Sequence, residues 1–218
     1  MSIRKVNFIT DEYYHIYNRG NSKQIIFLDQ EDHNHLVKLL YLCNSTKSIV
    51  YRDISKNSYD FDREETLVNI GAYCLMPNHF HLLVKEKTEN GISKFMQKVS
   101  TAYSMYFNKK YKRTGGLFEG KFKARHLNID RYLKYIFSYI HLNPIKLIES
   151  KWREKGIKNI KGAVAYLKTY QYSSYLDYLN EDRLRLKILD KKEFPKYFLS
   201  GKSFQEEIIE WLNYEVTP

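Results

Sequence analysis

Residues 67–85 read LVNIGAYCLMPNHFHLLVK, and the alternation in this stretch decides the fold. Leu67 to Met76 is rich in β-formers, Pro77-Asn78 interrupts it, and His79 to Lys85 alternates with a period of two, which predicts two adjacent antiparallel strands. Successive side chains of a strand point to opposite faces. His79 and His81 therefore share one face, while Phe80, Leu82 and Val84 turn the other way into a core. Two imidazoles on one face can bracket a metal ion, and the strand junction presents them.

Working outward, Tyr13 to Asn18 predicts a first strand closed by Arg19-Gly20. From Asp29 to Asn44 the residues Leu36, Leu39, Leu40 and Cys43 recur at helical spacing, with Asp29 as a cap. Residues 45–65 are polar and lack a clear period, with Ile49 to Ile54 as a candidate edge strand. Asn90-Gly91 ends the two-strand unit, and Ile92 to Lys110 carries a helical stripe of Phe95, Val99, Ala102, Met105 and Tyr106. After the turn Thr114-Gly115-Gly116, Leu117 to Leu127 reads as a short extended segment. Asn128 or Asp130 then caps a helix that runs to Asn143, before Pro144. Strand, helix, two strands, helix, strand, helix is the order of an α+β sandwich, an antiparallel sheet covered by helices. The main domain is expected over residues 1–180. A helical C-terminal extension over residues 181–218 includes an amphipathic helix from Ser203 to Tyr214.

The 218-residue chain is 43% apolar and 16% aromatic, ample for a sizeable core and unlike a disordered chain. Its formal net charge of +11 points to a polyanionic partner such as nucleic acid. The excess is concentrated in Lys94, Lys98, Lys109, Lys110, Lys112, Arg113, Lys121, Lys123 and Arg125, with Glu119 the one acid among them, a local balance of +8. Such clustering favours a binding face, with a solvated surface the equal alternative for any one of these side chains. A second basic stretch runs from Lys146 to Lys161. Cys43 and Cys74 form neither a zinc module nor a disulfide framework, which points to the cytoplasm. No stretch approaches the ~20 apolar residues of a membrane span, and the N-terminus lacks a signal-peptide core.

On the helix before Pro144, Tyr139 and Asn143 are four residues apart and so stack on one face. Two imidazoles, an amide oxygen and a phenol together read as a metal-assisted nuclease with tyrosine as nucleophile. The metal supplies positive charge at the phosphate, and the donor set suits Mg²⁺ or Mn²⁺. Each residue also has an ordinary reading. A lone H-x-H often satisfies surface or core hydrogen bonds, and most of the 20 tyrosines are packing residues. Tyr132, Tyr135 and Tyr139 could form an aromatic seam against the sheet, and His141 reads as a surface residue or a supporting neighbour. The joint occurrence discriminates better than any one member.

The runs MPNHFHLLVK, GGLFEGKFKARHL and YIFSYIHLNPIK, with the opening YYHIYNRGN and the later YQYSSYLDY, resemble the REP-associated tyrosine transposases, a branch of the single-tyrosine HUH endonucleases. The resemblance spans Tyr13 to Tyr178. It implies a ferredoxin-like core, a divalent metal held by His79 and His81 with Asn143 as third ligand, and Tyr139 as nucleophile. It also implies cleavage of single-stranded DNA beside hairpins through a 5′-phosphotyrosine, by a monomer or a homodimer. Related insertion-sequence transposases carry glutamine where this chain has Asn143. The basic cluster from Lys94 to Arg125, together with Arg19, is the expected DNA contact. A non-catalytic DNA- or RNA-binding regulator on the same fold would keep the basic face without needing Tyr139. The joint presence of Tyr139, His79, His81 and Asn143 favours the enzyme. A zinc hydrolase would want a carboxylate or HExxH spacing that is absent.

Overall fold

In the computed structural model, which describes residues 6–48, 57–179, 182–195 and 201–213, the alternating stretch forms strands β2 (Val68–Met76) and β3 (His79–Glu86). They join β1 (Tyr13–Arg19) and β4 (Lys123–His126) in a four-stranded antiparallel sheet of order β2-β3-β1-β4. With helices α1 (Gln30–Leu42) and α2 (Gly91–Lys110) in the two crossovers, this is the ferredoxin-like arrangement. The extended segment expected over Leu117 to Leu127 is regular only in β4. Its first half turns through Gly120 at φ +67°, a backbone that glycine adopts without strain. The candidate strand from Ile49 to Ile54 lies outside the described residues.

Alternation splits the core into two layers. Tyr14, Ile16, Ile70, Tyr73, Leu75, Phe80, Leu82 and Val84 are buried with α1 and α2 on one face. Ala72, Cys74, Met76 and Leu83 are buried on the other, beneath α3 (Asp130–Leu142), which contributes Leu133, Ile136, Phe137 and Ile140. A register shift between Ile70 and Ala72 puts Gly71 against the Phe194 ring, where an added Cβ would lie 2.6 Å from a ring carbon. Cys43 and Cys74 are free and buried in different layers.

The helix ends follow local chemistry. Asp29 accepts from the Asp32 amide in a reciprocal capping box at the start of α1. The Glu86 carboxylate accepts from the Ile92 amide at 2.7 Å, satisfying an otherwise orphaned donor at the start of α2. α3 departs from expectation, because neither Asn128 nor Asp130 caps it. Ile129 occupies the cap position without a side-chain bond, and Asp130 instead meets the positive helix end from the first turn. The helix gives way after Leu142 to a tight turn over Asn143–Leu147, where Pro144 ends α-helical bonding.

Beyond it come α4 (Trp152–Lys155), α5 (Ile160–Thr169), α6 (Tyr175–Tyr178) and α7 (Gly201–Asn213). Phe204 of α7 is fully buried with its ring 5.1 Å from His141 and 6.0 Å from Phe137, and Glu207 pairs with Lys134 at 3.0 Å. The C-terminal segment thus packs onto α3. Among the described residues no helix is long and apolar enough to cross a membrane.

Phe80 is 1% exposed beneath α1 and α2. Phe80→Ala is expected to cost about 3–5 kcal/mol in urea unfolding. A loss below about 1 kcal/mol would mean that the two faces of β3 have been assigned the wrong way round.

Candidate active site

Directly opposed residues of antiparallel strands project to the same face. Tyr17 stands opposite His81 and Arg19 opposite His79 in the β1–β3 ladder, while His15 stands opposite Arg125 and Tyr17 opposite Lys123 in the β1–β4 ladder. His15, Arg19, His79, His81, Lys123 and Arg125 therefore share the face that α3 covers. Tyr139 lies above them. Its ring meets His81 edge-on with centroids 5.2 Å apart and His15 at 5.9 Å. Nucleophile candidate and histidine pair come together within one chain.

Each histidine of the pair is anchored through Nδ1. His79 Nδ1–H donates to Asn78 Oδ1 at 2.6 Å, and Asn78 Nδ2 donates in turn to the Lys23 carbonyl at 3.2 Å. His81 Nδ1 lies 2.9 Å from His15 Nε2. One of these two nitrogens donates, and when His81 donates its Nε2 lone pair is free. Burial lowers His79 to about 4, with Lys146 and Arg19 adding to the effect, and lowers His15 to about 4, with Arg125 adding. Burial, then His15, His79, Lys146 and Arg153, holds His81 well below the ordinary histidine range. The imidazoles are thus neutral at pH 7, the form that ligates metal. Burial raises the Tyr139 phenol, with Arg153 and the Asn143 side chain pulling the other way.

Asn143 is fully buried. Its Nδ2 donates to the Tyr139 carbonyl at 2.9 Å, and its Oδ1 is buried with no hydrogen-bond partner. A buried oxygen left unpaired costs about 1–3 kcal/mol, so it is a donor suited to a cation. Among the described residues no three His, Cys, Asp or Glu side chains group to hold a metal ion. A metal here would rest on the two imidazoles, the Asn143 oxygen, and oxygens from solvent or substrate.

The basic cluster read from sequence divides between the two faces. Lys94, Lys98, Lys109 and Lys110 belong to α2, across the sheet from Tyr139. Lys98 Nζ donates to the Ser45 and Lys47 carbonyls, and Lys110 Nζ is ringed by Asp29, Glu31 and Asp32. Arg113 donates to Gln24, and Arg19 pairs with Glu119. Lys112 and Lys121 are exposed in the loop, and Lys123 and Arg125 stand exposed on the candidate-site face, with Arg125 over the Tyr132 ring at 5.1 Å.

Two expectations need correction. His141 is neither a surface residue nor next to the histidine pair. It is fully buried, with Nδ1 donating to the Phe137 carbonyl and Nε2 2.8 Å from Ser174 Oγ, because its face of α3 turns toward α6 and α7. Nor do the three tyrosines form a seam against the sheet. Tyr132 and Tyr135 are 45% and 39% exposed, leaving Tyr139 alone over the histidines.

His15 and Asn78 at the site were not singled out from the sequence, and Lys146 and Arg153 were noted only as part of the second basic stretch. His15 shares the period-two face of Tyr13 and Tyr17, but its meeting with His81 depends on register, which alternation does not specify. Arg153 lies ten residues beyond Asn143 and reaches Tyr139 only because the chain turns back after Pro144.

The family described as IS200-like transposase matches residues 33–143. A solved REP-associated tyrosine transposase bound to a REP hairpin superposes with a TM-score of 0.51, covering 83% of this chain and 87% of that one at 13% identity. No curated protein matches the chain.

His81 is 6% exposed, whereas His79 is only half-buried. His81→Ala also leaves His15 without its partner, so it should cost about 1–3 kcal/mol. His79→Ala should cost roughly half of that or less on the same reasoning. Chemical denaturation of both variants checks the order, and equal costs would contradict the assigned burial.

Proposed function

Since this chain belongs to the IS200-like transposase family, we propose that it cleaves and rejoins single-stranded DNA beside hairpins with Tyr139 as the nucleophile. The observation that carries the reading is the Tyr139 ring set edge-on against His81 at 5.2 Å, with the unpaired Asn143 oxygen one helical turn further on.

In the step proposed, Tyr139 Oη loses its proton to solvent and attacks phosphorus. The Oη–P bond forms, the P–O3′ bond breaks, and the electron pair leaves on O3′, which takes a proton to become a free 3′-hydroxyl. The DNA is held as a 5′-phosphotyrosine, and a second 3′-hydroxyl reverses the step to rejoin a strand. His79 Nε2, His81 Nε2 and the Asn143 oxygen would hold a divalent ion, Mg²⁺ or Mn²⁺ by donor chemistry. When bound, such an ion supplies positive charge at the phosphate oxygens. Asn78 and His15 keep the two rings oriented, the part that neighbours of metal ligands commonly play. Hairpin DNA is the proposed partner because the similar solved protein binds one, and the exposed Lys123 and Arg125 offer phosphate contacts on the Tyr139 face. A purely binding role would not require a tyrosine packed over two neutral imidazoles.

Incubating the protein with hairpin-bearing single-stranded DNA and Mg²⁺ or Mn²⁺ should give a covalent protein–DNA band. Tyr139→Phe removes the hydroxyl and keeps the ring, so it should abolish that band while hairpin affinity stays within about twofold. A persistent adduct would move the nucleophile to Tyr135 or Tyr132.

The division of the basic cluster gives a second expectation. Neutralising Lys123 and Arg125 together should flatten the dependence of log affinity on log salt by about one unit or more, at roughly 0.7 per phosphate on single strands. Neutralising Lys98 and Lys110, which are occupied internally, should leave the slope unchanged. The reverse outcome would place the DNA on the α2 face.

A further inference from the structure

The other half-buried cations among the described residues all have an oxygen partner, a carboxylate or, as for Lys98, Arg113 and Lys191, a carbonyl or amide oxygen. Lys110 has Asp29, Glu31 and Asp32, Lys85 has Asp11 and Glu193, and Arg19 has Glu119. Lys146 and Arg153 depart from this pattern. Both are half-buried, and among the described residues neither has a carboxylate, carbonyl or amide partner. The Arg153 guanidinium lies 4.0 Å over the Tyr139 ring, and its Nη2 is buried without any hydrogen-bond partner. Lys146 sits in the turn that follows Asn143, close enough that its charge is felt at both His79 and His81, and burial, then Arg153, disfavours its own protonation.

Two like charges held together away from bulk water repel and lose hydration, unless an anion joins them. Packing alone would explain Arg153 over an aromatic ring, as an ordinary cation–π contact. It would explain neither the orphaned Nη2 nor the second unpaired cation. The residues matched by the family end at Asn143, short of both.

We propose that Lys146 and Arg153 are the clamp for the phosphate that Tyr139 attacks. Arg153 Nη2 donates to a non-bridging oxygen while its guanidinium stays over the phenol ring, and Lys146 faces the same phosphate as a point charge. Positive charge fixed in a site with little water is most effective where negative charge builds up in the transition state. Both residues would touch substrate and so rank as catalytic.

The inference rests on Tyr139 as nucleophile, and its test separates the two readings. An oligonucleotide that gives the wild-type adduct has its cleavage phosphate mapped, then replaced by an uncharged methylphosphonate. Binding is measured in Tyr139→Phe protein, which keeps the ring and cannot cleave. The replacement should weaken binding about tenfold, in line with the loss of charge-assisted bonds. With Lys146→Met and Arg153→Met added, it should weaken binding less than about twofold, because the groups that sense the charge are gone.

With Tyr139 present, Arg153→Met keeps an unbranched apolar chain over the ring, so melting should be little changed. Its single-turnover cleavage at saturating DNA should fall about 100-fold, with partial rescue by Arg153→Lys. The same methylphosphonate penalty with and without the two cations, or near-wild-type cleavage by Arg153→Met, would overturn the clamp and leave Tyr139 standing. Failure of the wild-type protein to form any adduct would overturn the nucleophile, and the clamp with it.

Discussion

The side-chain alternation of β3 is the constraint on which the site depends. Phe80, Leu82 and Val84 are committed to the layer under α1 and α2, so His79 and His81 must face α3. α3 is held over that face by Ile136, Phe137 and Ile140 against Ala72, Cys74, Met76 and Leu83. Anchoring those three positions fixes the rotation of the helix and brings Tyr139 down onto His81. α7 then covers the outer side of α3 through Phe204 and the Lys134–Glu207 pair, so the C-terminal segment helps to hold the tyrosine in place.

Where a polar group is spent, and what it lies against, separates support from the candidate site. Two of the four lysines of α2 that look free in the sequence are spent on the fold, while Lys94 and Lys109 stay exposed: Lys98 ties down two carbonyls, and Lys110 pairs with three carboxylates around the cap of α1. Buried polar atoms without a partner occur elsewhere too, as at Glu86 Oε1 and Asn108 Oδ1, but Asn143 Oδ1 and Arg153 Nη2 belong to two residues that both touch Tyr139. Natural structures leave few such groups, and those that remain call for a ligand or another specific cause. The contact of Asn143 and Arg153 with Tyr139 is what supports the proposal that the α3 face and its following turn form the site.

Much of this was legible in the sequence because the signals were periodic or local. Period two in residues 79–85 placed the histidine pair, and the four-residue step from Tyr139 to Asn143 placed the phenol and the amide together. What escaped was set by register and chain reversal. His15 meets His81 only through the β1–β3 pairing, and Arg153 returns to Tyr139 only after the turn at Pro144. The charge cluster misled for a related reason: a count of lysines along the chain carries no sign of which are paired across the fold. His141 was misplaced because the burial of its face depends on α6 and α7, more than thirty residues away.

The central claim is that packing singles out one of the three tyrosines of α3 as the nucleophile. Its most direct test is peptide mapping by mass spectrometry of the DNA adduct after nuclease trimming. Tyr135 and Tyr139 fall between Lys134 and Lys146 on one tryptic peptide, so fragmentation must locate the modified residue within it. The account predicts a 5′-nucleotide on Tyr139 and none on Tyr135 or Tyr132. Modification of either exposed tyrosine, with Tyr139 unmodified, would contradict it.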